Sequence, residues 1–439
     1  MNEGGCSDMN FSRDLGRRQL LGGAAGLFAF AALPAHAKRA VLRQNDLGWG
    51  SVQTLFDAYV ADNRLPGAVA AIARGTDDAS FRFAGTIARG DARAMDADSL
   101  FRIYSMTKPV TGIATMMLIE QGKLDLDQNV ADLLPAFANP RVMIDPAKSL
   151  DARPANGPIT IRNLLTHTAG LGYNVVTKGP LLDEYMRLGI TPGQVSRKTL
   201  PGFKPVTTAP SLTEFADRLA GLPLIADPGT KWSYSVSLDL LGRVIEVASG
   251  MSFDAFLKRS IFDPLGMTST YFQVPASEAP RLTTNYGVSP LGKVPIDPGR
   301  DSIYLDKPAF PFGGAGLVSS ARDYDRFLLM LSGHGAIGRT RIMKTQTAKL
   351  AMSNLLPPGA VTQGTLVAGQ GFGAGGRVTI NGIDRLGARI GTYGWGGAAA
   401  TVAWIDPSSG VRACGFAQYM PDQTMPFTSD FGKAVYAGL

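Results

Sequence analysis

Leu100-Phe101-Arg102-Ile103-Tyr104-Ser105-Met106-Thr107-Lys108-Pro109 is the stretch on which the reading of this chain turns. Beyond it, Val110, Ile113, Ala114, Met117 and Leu118 recur at the spacing of one helical face, and Gly122 falls where a left-handed residue would end such a helix. Ser105 therefore stands where a loop enters a helix, its hydroxyl beside backbone N–H groups that the helix leaves unpaired. Lys108, one turn on, shares its face and is within reach of that hydroxyl. A buried lysine can help deprotonate a serine, so the two are a candidate nucleophile and partner. Alone the motif is weak: about one Ser-x-x-Lys arises by chance per 400 residues. From these four residues an N-cap serine with a solvated lysine fits equally well.

The rest of the composition narrows the field. The chain has 439 residues, 45% hydrophobic and 18% charged, enough to bury more than one core and unlike a disordered or fibrous sequence. Its net charge of +7 is spread without runs of Lys and Arg, which argues against a nucleic-acid partner. Three histidines (His36, His167, His334) and two cysteines (Cys6, Cys414) do not make a structural zinc site, and no metal or organic cofactor is expected. At the start, Arg17-Arg18-Gln19-Leu20-Leu21 precedes an apolar run over 22–33, Pro34 and Ala35-His36-Ala37. That pattern reads as a twin-arginine export signal cleaved after Ala37. The run is shorter than the ~20 residues that span a bilayer, so the expectation is a periplasmic or secreted protein without stable membrane insertion. Cleavage would remove three acids and three bases, leaving the charge at +7, and would take Cys6 with it, so no intramolecular disulfide is expected.

From residue 38 onward, strand-like segments gather near the two ends and the middle reads helical. Early strands are expected over 67–73 and 81–87, and a late hairpin over 399–405 and 411–418 around Asp406-Pro407-Ser408-Ser409-Gly410. Between them, Ser211-x-x-Glu214 is a capping box before Phe215 and Leu219. Leu238, Leu241, Ile245 and Ala248 form a stripe that stops at Gly250, and Ser252 opens a further helix that stops near Pro264-Leu265-Gly266. Pro- and Gly-rich stretches over 139–158 and 177–210 read as functional loops, and 276–315 as the return to the sheet. The expected organisation is a signal over 1–37, an α/β sheet domain from 38–120 and 310–439, and a mainly helical insertion over 121–309.

Around Ser105 and Lys108 lies a series of further motifs. Gly122-Lys123-Leu124-Asp125-Leu126-Asp127 comes first, then Leu164-Leu165-Thr166-His167-Thr168-Ala169-Gly170-Leu171. Pro228-Gly229, Trp232-Ser233-Tyr234-Ser235 and Leu240-Leu241-Gly242 follow, then Phe312-Gly313-Gly314-Ala315-Gly316-Leu317-Val318-Ser319-Ser320 and Trp395-Gly396-Gly397. In this order, and over nearly all of the chain after residue 37, they resemble the penicillin-recognising serine hydrolases, class C β-lactamase-like, and most of all the family VIII carboxylesterases. The resemblance implies an α/β fold of the α+β type: an antiparallel sheet flanked by helices, with an inserted helical domain and the site in the cleft between them. It implies Ser105 as acylated nucleophile, Lys108 as its partner and Tyr234 as general base. A phenol serves as a base only beside a cation, which Lys108 offers.

The same resemblance places an oxyanion hole at the N–H groups of Ser105 and Ala398, with Trp395, Gly396 and Gly397 along the substrate. Tyr104 and Val236 are further candidates for substrate contact, and Tyr173 is a candidate to line the pocket. Two departures stand out. Val236 replaces an asparagine of the second family motif, and Trp395 replaces a cation of the third, which weakens recognition of amide- and carboxylate-bearing drugs. His167 reads as a structural hydrogen-bonding residue, and no Gly-x-Ser-x-Gly supports an α/β-hydrolase elbow. The expected substrate is a small, mostly neutral carboxylic ester. A β-lactamase or D-alanyl-D-alanine carboxypeptidase is the alternative, then a transesterase or a non-catalytic binding relative; the sequence leaves the oligomeric state open.

Overall fold

A strand covered on both faces needs no polar residues, and the central strands here are apolar runs for that reason. The computed structural model describes residues 48–198, 207–289, 292–384 and 386–439; the expected export segment over 1–37 lies outside them. Seven antiparallel strands form the main sheet, in the order Gly371–Phe372, Arg377–Val378, Tyr393–Gly397, Thr401–Asp406, Val411–Phe416, Gly67–Arg74 and Ser80–Gly85. Distant parts of the chain meet in its middle, Val69 opposite Phe416 and Ala71 opposite Cys414.

Alternate residues serve two cores. Val69, Ala71, Ala403, Ile405, Cys414 and Phe416 face the main core, which also takes in the helices Thr107–Glu120 and Ala321–Ser332. Ala68, Ala70, Ile72, Val402, Trp404 and Ala413 face a second core built with Phe56 and Tyr59 of helix Gly50–Ala61 and with Phe427, Phe431 and Val435 of helix Phe427–Ala437. The fold is β-lactamase-like, an antiparallel sheet flanked by helices, as the motif series implies.

Local signals hold where local chemistry decides. Glu120 ends the nucleophile helix and Gly122 follows it at φ +68°. The Ser211 hydroxyl accepts the Glu214 N–H at 3.1 Å and starts helix Leu212–Ala220. Helix Ser237–Ser249 stops at Gly250 in the left-handed region. The middle, expected to be mainly helical with loops, also contains strands. It carries a hairpin of Arg141–Met143 and Ala152–Pro154, and the strands Asn285–Ser289 and Gly292–Asp297, the former pairing in parallel with Tyr419–Met420. These strands are two to six residues long and lack a clean alternation, so a period-2 search passes over them. The 177–210 stretch is not a loop throughout, since helix Pro180–Leu188 lies in it; 199–206 fall outside the described residues.

Candidate active site

The nucleophile turn is fixed before any catalytic contact is made. Strand Leu100–Arg102 pairs with Val318–Ser320, and the Leu317 N–H donates to the Thr107 hydroxyl at 3.1 Å. Between them Tyr104–Met106 is one 3₁₀ turn with Tyr104 at φ +42°, a strained value for a residue with a Cβ. The Tyr104 hydroxyl accepts from Asn285 Nδ2 at 3.1 Å, and its ring meets Tyr304 edge-on. Burial pushes the Tyr104 phenol above its ordinary range. Tyr104 is 4% exposed beside Ser105, itself only 8% exposed; its hydroxyl is turned to Asn285 and it holds the turn that aims the nucleophile.

Around Ser105 three side chains converge. Tyr234 Oη donates to Ser105 Oγ at 2.7 Å and Lys108 Nζ donates to the same oxygen at 3.1 Å. Lys108 is fully buried; Nζ also donates to the Gly314 carbonyl at 2.7 Å and lies 3.5 Å from the Tyr173 hydroxyl. It sits 4.7 Å from the Tyr234 ring centroid and 5.3 Å from that of Tyr173, so two aromatic faces and a carbonyl surround the ammonium. Burial, and then its neighbours Tyr234 and Asp239, push the Tyr173 phenol well above its ordinary range. Tyr173 is thereby a hydroxyl donor at the site.

Tyr234 is clamped by rings. Trp232 stacks on it at 5.9 Å and 6°, while His167 and Tyr173 meet it edge-on at 5.0 and 4.9 Å. His167 is fully buried at φ +56°, and burial, helped by the Lys108 charge, holds its imidazole well below the usual histidine range and therefore neutral. Its Nδ1 lies 2.8 Å from Ser235 Oγ, which continues to Ser237 Oγ at 2.7 Å. Ser105 has no hydrogen bond to this chain among the described residues; its direct contact is with Tyr234.

Trp395 does more than the sequence assigns to it. Its Nε1 donates to Tyr234 Oη at 3.3 Å, so an uncharged donor reaches the phenolic oxygen that Ser105 also contacts. Phe372 meets the indole edge-on at 5.3 Å, and Trp232, Val367 and Leu356 extend this apolar flank. Strand Tyr393–Gly397 is third in the sheet rather than at its edge, but its outer neighbour pairs only with Tyr393 and Gly394. Residues 395–397 thus act as an edge. A Cβ on Gly397 would fall 2.2 Å from the Ile103 carbonyl, which is why this position is glycine and how residue 398 comes beside the nucleophile turn. Ala398 is exposed there, with Gly396 half-buried on the same strand.

Val236 is fully buried in the main core, its N–H donating to the Gly172 carbonyl at 3.1 Å. The expectation that it touches substrate is corrected: the structure leaves it no surface to present. Sequence reasoning also passed over Asp239, which lies one residue off an apolar stripe. It is fully buried, five residues beyond Tyr234.

These features define an acyl-transfer site, and the chain belongs to the Beta-lactamase family, whose model matches residues 52–430. It is a serine hydrolase or acyl-transfer enzyme of that family. Esterase EstB of Burkholderia gladioli is 31% identical over 412 residues, covering 88% of this chain and 94% of that protein. Monacolin J acid methylbutanoyltransferase of Aspergillus terreus is 29% identical over 419 residues, covering 88% and 95%. Among solved structures, EstCE1, a hydrolase with promiscuous acyltransferase activity, matches with a TM-score of 0.72 at 27% identity over 89% of this chain and 99% of its own.

Proposed function

We propose that the protein is an exported carboxylesterase, cleaving small, mostly neutral esters through an acyl-serine. The observation that carries this reading is Trp395: an indole, flanked by Phe372 and Leu356, occupies the place of a cation that would attract an acidic drug. Tyr234 acts here as the phenolate, having given up the proton it otherwise shares with Ser105: Ser105 Oγ attacks the ester carbonyl, its proton passes across the 2.7 Å contact to Tyr234 Oη, and the Lys108 ammonium balances the phenolate charge. The N–H groups of Ser105 and Ala398 take the oxyanion, the alcohol departs with the proton, and water repeats the sequence on the acyl-enzyme. An alcohol in place of water gives ester transfer on the same residues, a second reading favoured by the likeness to a methylbutanoyltransferase. Export would follow from Arg17-Arg18 and release residues 38–439 into the periplasm.

The test sets short p-nitrophenyl esters beside a chromogenic cephalosporin, with Ser105→Ala as control. Fast ester cleavage that the substitution abolishes, with little lactam opening, is expected. Dominant lactam opening overturns the weight given to Trp395. Adding a primary alcohol and analysing products separates hydrolysis from transfer.

A further inference from the structure

Asp239 lies where the catalytic description leaves a buried acid unused. Its Oδ1 accepts the Gly314 N–H at 2.8 Å, and the carbonyl of that same residue accepts from Lys108 Nζ at 2.7 Å. The Phe312-Gly313-Gly314 turn is pressed onto the carboxylate: a Cβ on Gly314 would lie 2.5 Å from Asp239 Oδ2, and one on Gly313 would lie 2.3 Å from the Leu238 carbonyl. Thr111 ties the turn from the other side, donating to the Gly313 carbonyl at 2.7 Å. Asp239 Oδ2 is buried and has no hydrogen-bond partner among the described residues. A carboxylate kept with one oxygen unsatisfied is costly to fold around, and a neutral residue of similar size would be cheaper if shape alone mattered.

We propose that Asp239 is a positioning residue of the acyl-transfer site: it fixes the Gly314 peptide that seats Lys108, and its ionisation strengthens that seat. The charged and titratable groups that face it are Lys108, from the nucleophile helix, and Tyr173, from the loop after helix Ile161–Leu165. Helices Leu212–Ala220 and Phe253–Leu257 meet this helix through Leu212 and Phe253, and Ile161–Leu165 buries only uncharged side chains against it. Burial pushes the Asp239 carboxyl up to about 7, against the pull of Lys108. The carboxyl therefore changes charge near neutrality. Once ionised it accepts the Gly314 N–H as a charge-assisted bond and polarises that peptide toward the ammonium.

This inference rests on Ser105 being the acylated nucleophile, and the experiment separates the two. Turnover of p-nitrophenyl acetate and the rate at which a fluorophosphonate probe labels Ser105 are followed from pH 5.5 to 9 in the full chain, Asp239→Asn and Asp239→Ala. Asparagine keeps the acceptor for Gly314 but not the charge. The expected result for Asp239→Ala is a kcat lowered by about 10- to 100-fold with KM little changed. For Asp239→Asn the expected result is loss of the rise through neutral pH that the unsubstituted chain shows. If Asp239→Ala does not fold, the asparagine profile decides alone. A labelled wild-type chain whose pH profile superposes on that of Asp239→Asn, or a folded Asp239→Ala of unchanged kcat, overturns the proposal. A wild-type chain that neither turns over nor is labelled removes the Ser105 reading, and this proposal with it.

Discussion

Two buried charge clusters flank the nucleophile, and they are built to opposite rules. Arg102, on the strand just before Ser105, is fully buried and paired with Asp297: Nε donates to Oδ2 at 2.7 Å and Nη2 to the Asp297 carbonyl at 3.1 Å, with a further bond to the Thr283 carbonyl. The carboxylate is satisfied in turn by the Ser302 hydroxyl at 2.6 Å and the Ile303 N–H at 3.0 Å. On the other side Lys108 has two rings and the Gly314 carbonyl around it and, among the described residues, no carboxylate in direct contact, while Asp239 Oδ2 and His167 Nε2 find no hydrogen-bond partner among those residues. A buried charge with every bond made holds a fold together. One with bonds left open is held in readiness for something that arrives later.

That contrast predicts opposite phenotypes for two cations six residues apart. Lys108→Ala should lower kcat/KM by roughly 10³-fold or more while stability against urea changes little, since the residue is kept for chemistry. Arg102→Ala should do the reverse, costing about 3–5 kcal/mol by stranding the Asp297 carboxylate, with activity per folded molecule largely kept. If both lose stability and activity together, the division between the clusters is wrong.

The open bonds also make the stability of the site side respond to pH. The folded His167 binds its proton less readily than the unfolded chain does, so its contribution is present above pH 6.5 and is lost as pH falls below it. Asp239 works in the other direction. Its folded value, about 7, is raised from 3.8, so its contribution is present below that lower value and is lost as pH rises through about 7. Urea titrations should therefore show Asp239→Asn gaining on the wild type between pH 5 and 8, on the order of a few kcal/mol at the upper end. His167→Asn, which tolerates the positive φ, should lose the acid slope instead. A flat difference across the range would mean these groups are not buried as described.

The smallest effect sharpens the role of a single atom. Trp395→Phe keeps an aromatic ring beside Phe372 and removes the N–H that reaches Tyr234 Oη at 3.3 Å. About a 5- to 10-fold loss of kcat is expected, the scale of one neutral hydrogen bond, without a gain in lactam opening. An unchanged kcat would confine Trp395 to shaping the cleft.

How much of this was legible in the sequence follows from where each feature is decided. The nucleophile helix, the caps at Ser211 and Gly250 and the 401–416 hairpin depend on near neighbours, and they stand where the spacing puts them. The site motifs were readable as a series because their order along the chain survives even where a residue departs. Asp239 and Val236 were not, since burial of both is set by the 312–317 turn and the 172 loop, far away in sequence. The short strands over 285–297 pair mainly with each other, with a register shift at Asn285/Tyr286, and they escaped because they lack a clean alternation; only the outer pairing of Tyr286 and Gly287 comes from Tyr419–Met420, some 130 positions on.

The pairing of Val69 with Phe416 has a consequence for synthesis. Strand Gly67–Arg74 emerges from the ribosome early and pairs at once with Ser80–Gly85, but its other side must wait for residues 411–416, an unusually distant contact for a chain to close. The nucleophile turn waits with it, because Gly397 and Thr401 pack on the Ile103 carbonyl. A nascent chain therefore carries Ser105 and Lys108 for most of translation without a working site, and becomes reactive only once the far strands have been laid down beside the near ones.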